Sequence, residues 1–300
     1  MNEFDLIKAA NKIFSVSRED VLLAAGEDDC AVVRIGGKNV VLTADVLHEK
    51  TDFPKGIRAE EIGHLSLAVN LSDLAAMGAK PLYFVHTITL SEKWVGNFGE
   101  IMKGMRKLAD KFSVAVVGGD IDFGDELSIA GFAVGIADRF VTQSNAKVGD
   151  FVCLTAPLGK AQLSLEQLLD GAERDDIAYP ESLFTPEPRI AEGIEIAKHA
   201  NAMTDISDSL AVSLHLIAEK SGVGIEIKKE LLPLDHLTPY VEKEKALELF
   251  LYAGGDYELV YTSKRCTHGF VIGKVVKGDG VRIDGKELEF RGYVHRFHEL

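Results

Sequence analysis

The stretch Ala68-Val69-Asn70-Leu71-Ser72-Asp73-Leu74-Ala75-Ala76-Met77-Gly78-Ala79 decides how the surrounding sequence folds. Apolar residues recur at helical spacing through it and before it, at Ile62, Leu65, Val69, Leu74 and Met77. Gly78 and Pro81 supply a stop signal. The pattern predicts a helix over residues 58–77. Asp73 lies in the apolar part of this helix, where a carboxylate usually needs a partner or a metal ion, although a solvated helical residue is the simpler alternative.

The segments around this helix alternate between strand and helix patterns. Two short β-branched runs, 32–35 and 40–43, flank a Gly-Gly-Lys-Asn turn and predict a hairpin. Residues 83–90 predict a strand, and apolar spacing from Trp94 to Phe112 predicts one amphipathic helix. Further strands are predicted at 114–117 and 129–136. The first half is therefore expected to be α+β with mixed strands.

A polar run at residues 142–150 predicts a domain boundary. We expect one domain over residues 1–141 and a second over residues 142–300. In the second half, the patterns predict strands at 151–155, 224–227, 258–262 and 281–283, and helices at 161–169, 188–200 and 209–220. The predicted fold class is thus α+β in two domains of similar size.

Composition narrows the classes of function. The 300 residues carry 33 Lys+Arg against 47 Asp+Glu, and the net charge of −14 argues against nucleic acid as a partner. The longest strongly apolar stretch, 127–137, is too short to cross a bilayer, so no membrane association is expected. The acidic N-terminus lacks the pattern of an export signal, and the three cysteines form no CxxC motif. A cytoplasmic protein is expected.

Many of the carboxylates lie at the edges of apolar segments. They either precede a predicted strand (Asp28, Asp29), end one (Asp45, Asp120) or lie at the start of a predicted helix (Asp205, Asp208). Strand ends commonly carry ligand-binding side chains, and hard oxygen donors suit Mg²⁺ bound together with phosphate. Each residue also has a simpler alternative role, such as the turn at Asp120 or a helix cap at Asp205 or Ser207. P-loop, dinucleotide-binding and protein-kinase motifs are absent.

Six motifs together resemble one enzyme family over nearly the whole chain. They are Asp28-Asp29-Cys30-Ala31, Thr43-Ala44-Asp45, the stretch at 68–79, Gly118-Gly119-Asp120, Asp205-Ile206-Ser207-Asp208 and Gly254-Gly255-Asp256-Tyr257-Glu258-Leu259. The chain resembles the thiamine-monophosphate kinases, whose superfamily includes aminoimidazole-ribotide synthetase, selenophosphate synthetase and a hydrogenase-maturation protein. The resemblance implies the two-domain fold of aminoimidazole-ribotide synthetase and a homodimer paired through its N-terminal domains.

The resemblance also implies an activity and a set of site residues. The activity is Mg²⁺-dependent, in-line transfer of the ATP γ-phosphate to thiamine monophosphate, giving thiamine diphosphate and ADP. The implied ligands of several Mg²⁺ ions are Asp29, Thr43, Ala44, Asp45, Asp73, Asp120, Asp205 and Asp208, among which Asp73, Asp120 and Asp208 are the implied catalytic residues. ATP would contact Gly119, Asp120, Gln143 and Ser207, and the acceptor would contact Asp52, Gly255 and Tyr293.

Four positions depart from the family pattern. Ser209 replaces a common Gly, Gly255 a usual Glu, Gln143 a common Arg, and Asp52 a frequent His. The metal ligands are unaffected, whereas the acceptor pocket is altered. Two alternatives therefore stay open: another ATP-dependent enzyme of the superfamily, of the aminoimidazole-ribotide synthetase type, or a non-catalytic nucleotide-binding regulatory protein.

Overall fold

A six-stranded sheet forms the centre of the N-terminal half in the computed structural model, which describes residues 3–14 and 16–293. Its strands are β1 Val21–Leu23, β2 Ala31–Ile35, β3 Lys38–His48, β4 Lys80–Leu90, β5 Ala115–Phe123 and β6 Ser128–Ala137. Their order is β1-β2-β3-β6-β4-β5, with β4 and β5 parallel and the other pairs antiparallel. The predicted hairpin of β2 and β3 is confirmed.

Helices cover one face of this sheet. The helices of this half are α1 Glu3–Ile13, α2 Glu49–Asp52, α3 Ala59–Ala76, α4 Glu92–Val95 and α5 Phe98–Phe112. The predicted helix around Asp73 is confirmed as α3. The prediction of one helix from Trp94 to Phe112 is wrong, because the chain breaks at Gly96 and Asn97 between α4 and α5. A Cβ atom on Gly104 of α5 would lie 1.7 Å from the carbonyl oxygen of Glu60, so glycine allows α3 and α5 to pack closely.

A seven-stranded sheet forms the C-terminal half. Its strands are β7 Phe151–Leu154, β8 Ala202–Asp205, β9 Gly224–Ile227, β10 Leu259–Ser263, β11 Phe270–Val276, β12 Val281–Ile283 and β13 Lys286–Glu287, in the order β13-β12-β9-β11-β7-β10-β8. The helices are α6 Lys160–Leu169, α7 Pro180–Phe184, α8 Ile190–Ala197, α9 Leu210–Ser221 and α10 Lys243–Tyr252. The predicted α+β class is confirmed, while the boundary at residue 141 stays a prediction.

The two halves share a continuous hydrophobic core along α3. Leu71 and Leu74 of α3 are fully buried and belong to the same cluster as Met203 of β8 and Leu259 of β10. Close packing of buried apolar side chains holds the elements that carry them rigidly against one another. Asp73 of α3 is consequently fixed next to the carboxyl end of β8.

The opposite face of the N-terminal sheet is open and apolar. It presents Leu42 and Val46 of β3, Val85 of β4 and Phe132 of β6, all of them exposed. Strand β5 is exposed along its whole length at the edge of the sheet. We name this surface the open sheet face. Within the described ranges 3–14 and 16–293, no helix has the length and apolar character that crossing a membrane requires.

Candidate active site

Four carboxylates from distant parts of the sequence meet in the groove between the two halves. Asp29 lies in the turn before β2, Asp45 in β3, Asp73 in α3 and Asp205 at the end of β8. The Thr43 hydroxyl donates to Asp73 Oδ2 at 2.5 Å, and the Ser72 hydroxyl donates to Asp205. Asp28 and Asp208 flank the group in sequence and in space. We call these six residues the aspartate cluster.

Like charges confined in this groove disfavour the ionised carboxylates. Burial, followed by the nearby carboxylates of Asp45, Asp205 and Asp29, raises the pKa of Asp73 well above its usual range. Burial likewise raises the pKa values of Asp28 and Asp205 to about 6. The cluster therefore has a strong tendency to take up protons or cations.

The donor set fits Mg²⁺. Asp29 Oδ2 is shielded from solvent and has no hydrogen-bond partner, which leaves one lone-pair-bearing oxygen for a cation. No three acidic, His or Cys side chains in residues 3–14 and 16–293 enclose a metal site by themselves. Mg²⁺ keeps several waters and shares its remaining positions between carboxylates and phosphate, so its binding does not require such a closed set of protein ligands. Pairing of β3 with β2 stops at Leu42, so the main chain of Thr43 and Ala44 lies beyond that ladder.

Three backbone hydrogen bonds shape the loop at residues 205–208. The carbonyls of Ile206, Ser207 and Asp208 accept from the N–H groups of Tyr257 (3.2 Å), Gly255 (2.8 Å) and Tyr293 (3.2 Å) respectively. Gly255 has φ +83°, a conformation that favours glycine, so its contribution comes from the main chain rather than from a side chain.

The cap of helix α9 is Ser209. Its hydroxyl accepts from the N–H of Val212 at 3.0 Å and donates to the carbonyl of Arg291 at 2.8 Å. The alternative that Asp205 or Ser207 caps this helix is therefore wrong, since Ser209 performs that role. The carboxylate of Asp205 is instead directed toward Ser72.

A cavity of about 430 Å³ adjoins the aspartate cluster. Asp52, Ser207, Gly255 and Tyr293, which the family resemblance implied as substrate contacts, all line it. Tyr257, for which neither the sequence pattern nor the resemblance predicted a role, also lines the cavity. Its φ of 51° is unusual for a tyrosine, and burial together with Asp45 and Asp205 raises the pKa of its hydroxyl. A sparsely populated backbone conformation in a binding groove has no sequence signature that identifies it.

One predicted site residue, Asp120, lies apart from this arrangement. The prediction that Asp45 and Asp120 each end a strand is wrong, because Asp45 lies inside β3 and Asp120 lies inside β5. Across the sheet Asp45 aligns with Gly131, His86 and Gly119, whereas Asp120 aligns with Thr87. Because adjacent strand residues point to opposite faces, Asp120 lies on the open sheet face, three strands or about 14 Å from Asp45. The chain's own cluster does not include Asp120.

The raised pKa values predict how pH affects the stability of the metal-free protein. A carboxyl group whose folded-state pKa exceeds its unfolded value stabilises the fold at low pH and loses that contribution as pH rises, here between 3.8 and about 6 for Asp28 and Asp205. In EDTA we expect Tm to fall between pH 5 and 7.5, and Mg²⁺ to raise Tm more at pH 7.5 than at pH 5. Differential scanning fluorimetry with Asp205→Asn, in which the pH slope should flatten, tests this expectation. An equal Mg²⁺ effect at both pH values would contradict it.

Comparisons with known proteins show the family to which the chain belongs. The description "AIR synthase related protein, N-terminal domain" matches residues 27–137, and "AIR synthase related protein, C-terminal domain" matches residues 147–286. The chain is 52% identical over 299 residues to a thiamine-monophosphate kinase from Archaeoglobus fulgidus, covering 98% of each sequence. The chain belongs to the thiamine-monophosphate kinase family. A family member from Methanospirillum hungatei is 38% identical, covering 90% of this chain and 93% of that one.

Solved structures of the family match the whole fold. The structure described as AaThiL complexed with AMPPCP and TMP aligns with a TM-score of 0.89 at 32% identity, covering 98% of this chain and 97% of that one. A thiamine monophosphate kinase structure from Aquifex aeolicus aligns with a TM-score of 0.84, covering 96% and 100%. The two-domain fold expected from the family resemblance is thus confirmed.

Proposed function

We propose that this chain catalyses the transfer of the ATP γ-phosphate to thiamine monophosphate, giving thiamine diphosphate and ADP. The observation that carries the proposal is the aspartate cluster bordering a cavity whose lining includes Asp52, Gly255 and Tyr293. A relative that is 52% identical over nearly its full length is named a thiamine-monophosphate kinase. ATP and thiamine monophosphate are accordingly the proposed substrates, and we place the reaction in the cytoplasm, where ATP is supplied.

Phosphate transfer to thiamine monophosphate requires little proton transfer by the protein. A phosphate monoester has a second pKa of about 6, so the acceptor oxygen is largely ionised at neutral pH. The difficulty is the repulsion between two phosphates and an acidic groove. Mg²⁺ held by the carboxylates of this groove would supply the neutralising charge that an in-line transfer between the two phosphates requires.

The proposed roles of the residues follow from their positions. The groups that would hold Mg²⁺ are the carboxylates of Asp29, Asp45, Asp73, Asp205 and Asp208, with Thr43 and Ala44 beside them. Ser207, on the loop that Gly255 fixes, faces the cavity and would contact the nucleotide. These residues orient the two substrates and exclude competing geometries.

Asp52 is proposed to recognise the cationic thiazolium of the acceptor. Its Oδ2 accepts from the His48 N–H at 2.7 Å and from the Thr51 hydroxyl at 2.8 Å, which holds the carboxylate at the cavity wall. Tyr293, half-exposed at the other side of the cavity, offers an aromatic surface for packing.

Asp52→Asn tests this assignment. The amide keeps an oxygen that accepts from the His48 N–H, so the turn is retained while the negative charge is lost. We expect the KM for thiamine monophosphate to rise about 10-fold, as loss of a charge-assisted contact implies. The KM for ATP should stay unchanged. Steady-state kinetics with each substrate varied in turn measures both values, and an unaltered KM for thiamine monophosphate would refute the assignment.

A second copy of the chain is the proposed occupant of the open sheet face. Exposed apolar residues there include Leu42, Val46, Val85 and Phe132, and the edge strand β5 has no strand neighbour beyond it in the described sheet. Apolar faces and long edge strands of this kind are normally covered. The protein is therefore proposed to be a homodimer paired through its N-terminal sheets, which the resemblance also implied.

One assay separates the proposed activity from its alternatives. Purified protein is incubated with ATP, Mg²⁺ and thiamine monophosphate, and thiamine diphosphate is quantified by chromatography. Formation of thiamine diphosphate with stoichiometric ADP supports the proposal. ATP binding without thiamine diphosphate would favour another ATP-dependent enzyme of the superfamily or a non-catalytic nucleotide-binding protein.

A further inference from the structure

Gln143 has every side-chain polar atom engaged inside the protein. Its Nε2 donates to Asp29 Oδ1 at 2.6 Å and to the Thr204 hydroxyl at 3.1 Å. Its Oε1 accepts from Lys220 Nζ at 2.5 Å, and its backbone N–H donates to Asp28 Oδ2 at 2.9 Å. The residue is only 3% exposed. A neutral amide offers two donors, and both are already used, so a nucleotide would find no donor on this side chain.

The same contacts fix the Asp29 carboxylate. Asp29 Oδ1 accepts from Gln143 and from the Thr204 hydroxyl, the latter at 2.9 Å, whereas Asp29 Oδ2 has no partner and no solvent exposure. Two donors on one oxygen set the rotation of the carboxylate and leave the other oxygen directed into the aspartate cluster. Lys220, also bonded to the carbonyl of Glu27 at 2.7 Å, fixes which end of the Gln143 amide faces Asp29.

We propose that Gln143 is a positioning residue that holds Asp29 as a metal ligand, rather than a residue that contacts ATP. The inference rests on the proposed function only in taking Mg²⁺ as the cation of the cluster. Groups that orient a ligating carboxylate in this way commonly change metal affinity by about 10- to 100-fold when they are lost.

The test measures metal binding in the absence of nucleotide. Mn²⁺, which reports on Mg²⁺ sites by electron paramagnetic resonance, is titrated into wild-type protein, Gln143→Leu and Thr204→Val. Both variants should raise the Mn²⁺ Kd about 10-fold or more, because each removes one donor to Asp29 Oδ1. In steady-state kinetics, the Mg²⁺ concentration for half-maximal rate should rise in parallel, while the KM for ATP at saturating Mg²⁺ stays within about twofold.

A matched control removes a similar bond elsewhere. Asn201 Nδ2 donates at 2.8 Å to the buried carboxylate of Asp150, outside the aspartate cluster, so Asn201→Leu should leave the Mn²⁺ Kd unchanged. Thermal unfolding of each variant shows whether it is folded. If Gln143→Leu does not fold, the Mn²⁺ Kd of Thr204→Val still tests the proposal.

The outcomes separate the two proposals. Equal Mn²⁺ binding by wild type and both variants, including no binding by any of them, overturns the positioning role. A raised KM for ATP in Gln143→Leu with unchanged Mn²⁺ binding also overturns it and assigns the residue to the nucleotide. A wild-type protein that forms no thiamine diphosphate, yet binds Mn²⁺ more tightly than both variants, overturns the proposed function alone.

Discussion

Asp73→Asn is expected to lower kcat by about 10³-fold while raising the stability of the metal-free protein. The two effects have one cause, which is that Asp73 lies among Asp45, Asp205 and Asp29. Burial, together with these neighbours, raises the pKa of Asp73, so its charge destabilises the metal-free protein. The same charge is what binds a cation, which in turn offsets the repulsion between the groove and the two phosphates. Asparagine keeps an oxygen that accepts from the Thr43 hydroxyl and relieves the repulsion.

Two measurements check this result. At pH 7.5 in EDTA the Tm of Asp73→Asn should exceed that of wild type by about 2–4 °C, which corresponds to about 1 kcal/mol for a protein of this size. The increase in Tm on adding Mg²⁺ should shrink in the variant. Asp110→Asn, which changes an exposed carboxylate paired with Arg106 on α5, serves as the matched control and should leave kcat unchanged. Wild-type turnover in Asp73→Asn would remove Asp73 from the proposed metal site.

The sequence predicts the elements that local patterns specify. The apolar spacing around Asp73 identifies α3, and the Gly-Gly turn at residues 36–37 identifies the hairpin of β2 and β3. Acidic residues at the edges of apolar segments predict a common site, and the structure brings Asp29, Asp45, Asp73 and Asp205 together in one groove. The pattern is informative because a carboxylate beside an apolar core is costly to bury without a partner.

Other features depend on long-range arrangement and were not predictable in this way. The run of residues 116–120 reads as a strand followed by a turn, yet pairing with β4 extends β5 to Phe123 and places Asp120 in mid-strand. The partners of Gln143 come from positions 29, 204 and 220, and no local pattern connects them. Tertiary pairing decides strand ends and side-chain partners, and a single sequence does not display it.

Asp120→Asn is the second substitution with a large expected effect, and its mechanism depends on the proposed dimer. Asp120 lies on the open sheet face, about 14 Å across the sheet from Asp45 of the same chain. We propose that in this homodimer Asp120 of one copy contributes to the metal site of the other. We expect Asp120→Asn to lower kcat by about 10²-fold or more with little change in Tm, because the side chain is exposed in the single chain.

Mixed dimers decide whether Asp120 acts across the interface. Inactive Asp73→Asn and Asp120→Asn chains are co-refolded in equal amounts. If each site takes Asp73 from one chain and Asp120 from the other, each mixed dimer contains one site in which both aspartates are intact. Activity should then return to about a quarter of the wild-type value, since half of the dimers are mixed and each has one of two sites restored. Co-refolding Asp73→Asn with Asp45→Asn, two residues of the same chain's cluster, should restore nothing. Absence of activity in the first mixture, with mixed dimers demonstrated by differently tagged chains, would contradict a role for Asp120 across the interface and limit each site to its own chain.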